Sequence, residues 1–137
     1  MKLDLSSLKK AVSSLNSALE MAEVLIQGKN DKQDDLVRAG VIQNFEFTYE
    51  LCWKFMKRWL EVNYNPDIDG LTRKELFRIA FENKLIKDVE IWLSYNDARN
   101  KTSHTYDNEK ASNVFEVSKE FITDAKDLLA TLESKND

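Results

Sequence analysis

Arg99, His104 and Tyr106 fall within one stretch of eight residues, Arg-Asn-Lys-Thr-Ser-His-Thr-Tyr, and His104 is the sole histidine among 137 residues. Each brings a different chemistry. Arg99 carries a permanent charge on a planar fork of donors that matches a phosphate group. Histidine is the side chain whose ordinary pKa lies nearest neutrality, so His104 is the natural general base or acid. The Tyr106 hydroxyl could act as a nucleophile, an acceptor or a hydrogen-bonding group.

Whether these groups can act together depends on the backbone. On an unbroken α-helix, five residues rotate a side chain by about 500°, which leaves Arg99 and His104 about 140° apart. Thr102, Ser103, Thr105, Asp107 and Asn108 are poor helix-interior residues and good caps. The spacing therefore predicts a helix ending near Lys101 and another starting at Asp107 or Asn108. Arg99 then lies in a terminal turn, with His104 and Tyr106 on the connection. The competing reading pairs Arg99 with Asp97 or a carboxylate of an earlier helix and leaves His104 as a surface residue.

The remaining chain supplies the scaffold. Leu5, Leu8, Val12, Leu15, Leu19, Ala22 and Ile26 alternate spacings of three and four, predicting a first helix over Leu5 to Gln27, ended by Gly28 and the polar run Lys29 to Asp35. A second helix is expected over Leu36 to Tyr64. Ile42, Phe45, Tyr49, Trp53, Met56 and Leu60 mark one face, while Phe47, Leu51, Phe55, Trp59 and Val62 load others, as in a central helix or one that meets a second chain. Asn63 to Gly70, with the lone Pro66, forms a break. Thr72-Arg73-Lys74-Glu75 is a capping box that opens a short helix with Leu76, Phe77, Ala80 and Phe81 inward. Asp88 is placed to cap the next helix, with Val89, Trp92, Tyr95 and Ala98 or Arg99 on one side. The last helix has a seam of Val114, Ser118, Phe121, Ala125, Leu128 and Leu132. No alternating run argues for a strand. The expected fold is an all-α antiparallel up-down bundle of four to five helices forming one domain over 1–137.

Bulk properties exclude several function classes. A net charge of −4 gives no long-range attraction to nucleic acid, so any such contact must be local. The single cysteine, Cys52, allows no internal disulfide and no cysteine-based zinc site, and its apolar neighbours mark a buried thiol. No apolar stretch is long enough to span a membrane, and the N-terminus lacks a signal-peptide core, so a cytoplasmic location is expected. Glu46, Glu50 and Lys54 form a polar stripe on the second helix. It is either a solvated, salt-bridged face or a support that orients Arg99, with Tyr49 beside it. No metal site and no cofactor are expected. Lys57, Arg58, Arg73, Lys74, Arg78, Lys84 and Lys87 make the middle of the chain its most basic part, with acids interspersed.

The pattern Arg99-x-x-x-x-His104-x-Tyr106 resembles the signature of the HEPN superfamily. The run Phe45-Glu46-Phe47-Thr48-Tyr49-Glu50-Leu51-Cys52-Trp53-Lys54 is similar to its branch of nucleotidyltransferase substrate-binding proteins. The resemblance covers nearly the whole chain. It implies a helical protein paired with a minimal nucleotidyltransferase, and metal-independent RNA cleavage by a toxin that its partner restrains, in some systems by nucleotide addition to the motif tyrosine. It further implies a homodimer with paired motifs at a shared cleft. Arg99 and His104 then become the catalytic pair, and Tyr106, Lys101 and Asp97 the nucleotide- or RNA-contacting or modified set. Cleavage by the 2′-hydroxyl needs both a base and an acid. A dimer would supply two copies of His104. The alternative is a non-catalytic substrate-binding subunit that completes the partner's active site; a third reading is a purely structural bundle.

Overall fold

The computed structural model describes residues 2–29 and 31–136 and contains five α-helices: α1 (Ser6–Leu25), α2 (Lys32–Asn63), α3 (Arg73–Glu82), α4 (Val89–Lys101) and α5 (Asn108–Ser134), with a 3-10 turn over Thr102–His104 between the last two. No strand occurs among the described residues. The helical bundle expected from the periodicity is the fold observed. α2 touches every other helix and is the central element.

The caps explain the boundaries. The Thr72 hydroxyl accepts from the Glu75 amide while the Glu75 carboxylate accepts from the Thr72 amide, completing the capping box of α3. Asp88 accepts from the Ile91 amide at the start of α4, and Asp107 accepts from the Glu109 and Lys110 amides at the start of α5. α3 closes with Lys84 in the left-handed region, at φ 64°, which lets the Leu85 amide reach back to the Ala80 carbonyl and drops Leu85 into the core. At the extremities, the Leu3 amide donates to the Asn136 side chain, whose amide donates to the Leu3 carbonyl.

Several expectations shift. α1 spans Ser6–Leu25, not Leu5 to Gln27, and α2 begins at Lys32, four residues before Leu36. The polar run before Leu36 is a helix start. Asp31 accepts from the Asp34 amide, and Asp34 and Asp35 sit in the first turn, where acids suit the helix dipole. Asn30, within that run, lies outside the described residues. Asp34 is buried, and its carboxylate accepts from the Gln27 and Lys29 amides at 3.2 and 3.1 Å, fastening the α1–α2 connection. Phe81, expected inward, is half exposed, since α3 buries only Leu76, Phe77 and Ala80.

The core is aromatic where α2, α4 and α5 meet. The Phe121 ring lies 5.1 Å from Phe45, 5.0 Å from Tyr95 and 5.8 Å from Trp92, in edge-to-face arrangements. All six residues of the expected α5 seam are buried, with the Ser118 hydroxyl satisfied by the Val114 carbonyl. Cys52 is buried, and burial pushes its thiol well above the ordinary range. No helix among the described residues is long and apolar enough to cross a membrane.

Replacing Phe121 by Ala removes the ring that three helices share. The expected cost is about 3–5 kcal/mol. Tyr106→Ala, at a surface position, should stay within about 0.5 kcal/mol of the parent. Urea unfolding of both variants checks the contrast.

Candidate functional site

The motif begins on the rim of the core. Trp92, Tyr95 and Ala98 point inward on α4, and Arg99, one residue past Ala98, emerges at the edge facing α2. Its Nε donates to Glu50 Oε1 at 3.0 Å, its Nη2 lies 3.7 Å from Glu46 Oε1, and its Nη1 donates to Thr102 Oγ1 at 3.2 Å. The Thr102 hydroxyl donates in turn to the Arg99 carbonyl at 2.7 Å, satisfying a helix-end acceptor. The guanidinium is thus fixed from two sides while its side chain stays 30% exposed. Arg99 thus pairs with the carboxylates of the α2 stripe, an arrangement that both readings of that stripe from the sequence allow.

After Lys101 the chain tightens into the 3-10 turn that ends at His104, and α5 starts at Asn108. The helix therefore breaks where the Thr, Ser and Asp residues require. His104 and Tyr106 are both exposed, Tyr106 by 83%. Their rings meet edge to face at 5.9 Å, and the Tyr106 hydroxyl stands 3.4 Å from His104 Nδ1. This long contact has two senses. With the phenol accepting from Nδ1–H, Nε2 keeps a lone pair and can accept; with the phenol donating to Nδ1, Nε2 carries the hydrogen and can donate.

Within one chain the two halves of the motif stay apart. Arg99 makes no hydrogen bond to His104 or Tyr106. Lys101 donates to Asn113 on α5 at 3.1 Å, tying the end of α4 to the following helix. Asp97 is exposed on α4. Tyr49 is buried in the aromatic core, and its hydroxyl donates to Asn96 at 2.8 Å. Burial pushes its phenol well above the ordinary range, and the nearby Arg73 charge opposes the rise. Asn96 was not singled out from the sequence, and Thr102 was read only as a cap residue. Their signal is positional: they lie three residues before and after Arg99, hence on its helix face.

Two concave surfaces adjoin these residues. Glu46, Phe47, Glu50, Leu51 and Lys54 line a groove of about 510 Å³ on α2, with Phe47 61% exposed. Tyr106, Thr105, Arg38 and Ser112 line another, of about 420 Å³. A cavity of about 550 Å³ between α1 and α5, lined by Leu19, Ile26, Phe115 and Ile122, includes no motif residue. Among the described residues no three His, Cys, Asp or Glu side chains gather as a ligand set for a metal ion.

Residues 3–134 match the model of a family described as nucleotidyltransferase substrate binding protein like. The chain belongs to this family. It is 40% identical over 143 residues to a protein of Haemophilus influenzae named a probable ribonuclease HepT, spanning 98% of this chain and 95% of that one. A solved structure from Haemophilus influenzae, reported as revealing the fold of a substrate-binding domain of a nucleotidyltransferase, superposes with a TM-score of 0.84 at 35% identity, covering 95% of this chain and 99% of the other. A Thermus thermophilus protein gives a TM-score of 0.64 at 26% identity, covering 86% and 98%. The nucleotidyltransferase substrate-binding assignment agrees with the resemblance carried by the motif and the α2 run.

Replacing either carboxylate separates their contributions. Glu50→Gln should move the Arg99 Nε–H and Trp53 indole N–H resonances, since Glu50 accepts from both at 3.0 and 3.1 Å. Glu46→Gln, 3.7 Å from Arg99, should leave both nearly in place. Each change should alter stability by less than about 1 kcal/mol, because the pair is partly exposed. Proton–nitrogen spectra and thermal unfolding read both outcomes.

Proposed function

We propose that this protein is the HEPN-type partner of a minimal nucleotidyltransferase, working in the cytoplasm, and that Arg99, His104 and Tyr106 form its site for RNA. The observation that carries this reading is the preparation of Arg99. A guanidinium held by Glu50 and Thr102 at a helix end, followed immediately by an exposed imidazole and phenol, is suited to a phosphodiester. In cleavage, His104 takes the proton from a 2′-hydroxyl, whose oxygen attacks the adjacent phosphorus. The 5′-oxygen leaves and receives a proton from an acid, giving a 2′,3′-cyclic phosphate. Arg99 neutralises charge developing on the non-bridging oxygens.

One imidazole cannot be base and acid in the same pass, so the reading requires a second copy. The α2 groove supports a homodimer: Phe47 presents an exposed ring between Glu46 and Glu50, beside the residues that hold Arg99. Tyr106 serves the partner enzyme as an acceptor. Of the four tyrosines, Tyr49 and Tyr95 are buried with their hydroxyls committed to Asn96 and Asp124, whereas Tyr64 and Tyr106 are exposed, and of these two Tyr106 stands beside His104.

The second reading, a substrate-binding subunit without its own chemistry, is favoured by the separation of Arg99 from His104 within one chain. It also matches what the 35%-identical Haemophilus structure is said to be.

The readings part in one assay. The purified protein should cleave RNA without added metal, and His104→Ala and Arg99→Ala should each reduce the rate at least 100-fold, within the usual range of acid–base and electrostatic contributions. Equal residual cleavage in both variants and the parent would point to a contaminant. The subunit reading expects no cleavage but faster nucleotide transfer when the protein is added to its partner. In that mixture a nucleotide-sized mass increase should appear on Tyr106 and vanish in Tyr106→Phe. Phe47→Asp should yield a monomer by light scattering and lose cleavage with its fold intact.

A further inference from the structure

A second arginine reaches this region from another helix. Arg73 opens α3, and its guanidinium lies 3.3 Å from the centroid of the Trp53 ring on α2. The Lys54 ammonium lies 5.7 Å from the same ring. The Trp53 indole N–H donates to Glu50 Oε2 at 3.1 Å, and the other oxygen of that carboxylate accepts from Arg99 at 3.0 Å. One carboxylate therefore joins the platform beneath Arg73 to the motif arginine. A second link runs through Tyr49. Its hydroxyl donates to Asn96, on the Arg99 face of α4, and Arg73 lies near enough to act on that phenol.

The charges here are not cancelled internally. Among the described residues neither Arg73 nor Lys54 has a carboxylate within 4.0 Å. The neighbouring acids are committed elsewhere: Glu75 to the Thr72 amide, Asp69 to Lys57, and Glu46 and Glu50 to Arg99. A guanidinium has five N–H donors, so one that stacks on an indole and acts on the Tyr49 hydroxyl still has donors for an external anion. In a chain of net charge −4, cations left unpaired beside a phosphate-type arginine form a local patch of the kind the bulk charge cannot supply.

We infer that Arg73 and Lys54, carried on Trp53, form a second phosphate-contacting subsite beside Arg99, which engages the backbone of a single-stranded polynucleotide away from the phosphate at the motif. The inference rests on the reading of Arg99 as part of an RNA site. A chain of nucleotides spans both subsites, whereas a single nucleotide occupies only the one at Arg99.

The experiment measures binding of a labelled single-stranded RNA oligonucleotide, and of adenosine monophosphate, across a salt series. All proteins carry His104→Ala so that the RNA stays intact. Arg73→Ala and Lys54→Ala should each weaken oligonucleotide binding several-fold and lower the slope of log affinity against log salt by about 0.7, the value for one lost phosphate contact on a single strand. Neither should change mononucleotide binding, while Arg99→Ala should weaken both ligands. Lys54 is exposed, so its replacement tests the subsite without risk to the fold. Wild-type affinity and slope in both the Arg73 and Lys54 variants, with Arg99→Ala impaired, would overturn the subsite and leave the motif reading standing. Impairment in Arg73→Ala and Lys54→Ala with Arg99→Ala unaffected would keep the subsite and overturn the motif reading. Absence of oligonucleotide binding in the parent would overturn both.

Discussion

The placement of Arg99 and Glu50 follows from the packing of Phe121. This ring comes from α5 and meets Phe45 on α2 and both Trp92 and Tyr95 on α4. Those contacts fix the rotation of α2 and α4 about their own axes. Side chains advance by about 100° per residue on a helix. With Tyr49 turned inward on α2, Glu50 must emerge on the rim. With Ala98 turned inward on α4, Arg99 must do the same. A core residue followed by a rim residue on each of two packed helices delivers the carboxylate and the guanidinium to one another at 3.0 Å. The ion pair is a consequence of the aromatic lock rather than its cause.

That order of dependence divides stability from chemistry. The buried rings carry large packing energies, several kcal/mol for a residue such as Phe121, about 3–5 on truncation. The Arg99–Glu50 pair, with side chains 30% and 31% exposed, contributes about 0–1 kcal/mol to folding. The rim therefore tolerates charge changes that the core would not. Glu50 is spent on geometry: it receives Arg99 with one oxygen and the Trp53 indole with the other, so two side chains that face solvent are held in fixed relation by a single carboxylate.

Much of this was legible in the sequence where one helix alone determines the outcome. The α5 seam, the Thr72–Glu75 box, the Asp88 cap and the break between Lys101 and Asp107 depend on local periodicity and cap chemistry, and each lies where the residues required. The start of α2 was obscured because Asp31, Asp34 and Asp35 read equally as a polar loop and as the acidic first turn of a helix. Trp53 was placed on one face with Tyr49 and Met56, yet those two are buried and Trp53 is half-buried, with Cys52 beside it in the core. No spacing rule reveals this, since the outcome depends on Arg73 arriving from α3 to cover the indole. The same is true of Asn96 beneath Tyr49. Periodicity finds faces; it does not find which cation from a distant helix lands on them.

The exposed end of the motif behaves differently from its anchored end, and that contrast bears on control. Arg99 is fixed by three side chains, whereas His104 and Tyr106 touch chiefly each other, on a turn with no buried residue. On the proposed reading, a nucleotide attached to Tyr106 brings a phosphodiester beside the imidazole. Such a group would inhibit by occupying the phosphate sites as a tethered competitor. It would not need to unfold or reshape the bundle, because no core packing depends on Tyr106. The effective concentration of a tethered anion is high. On that reading, an exposed acceptor beside the imidazole is enough to switch the site without any change in the aromatic core.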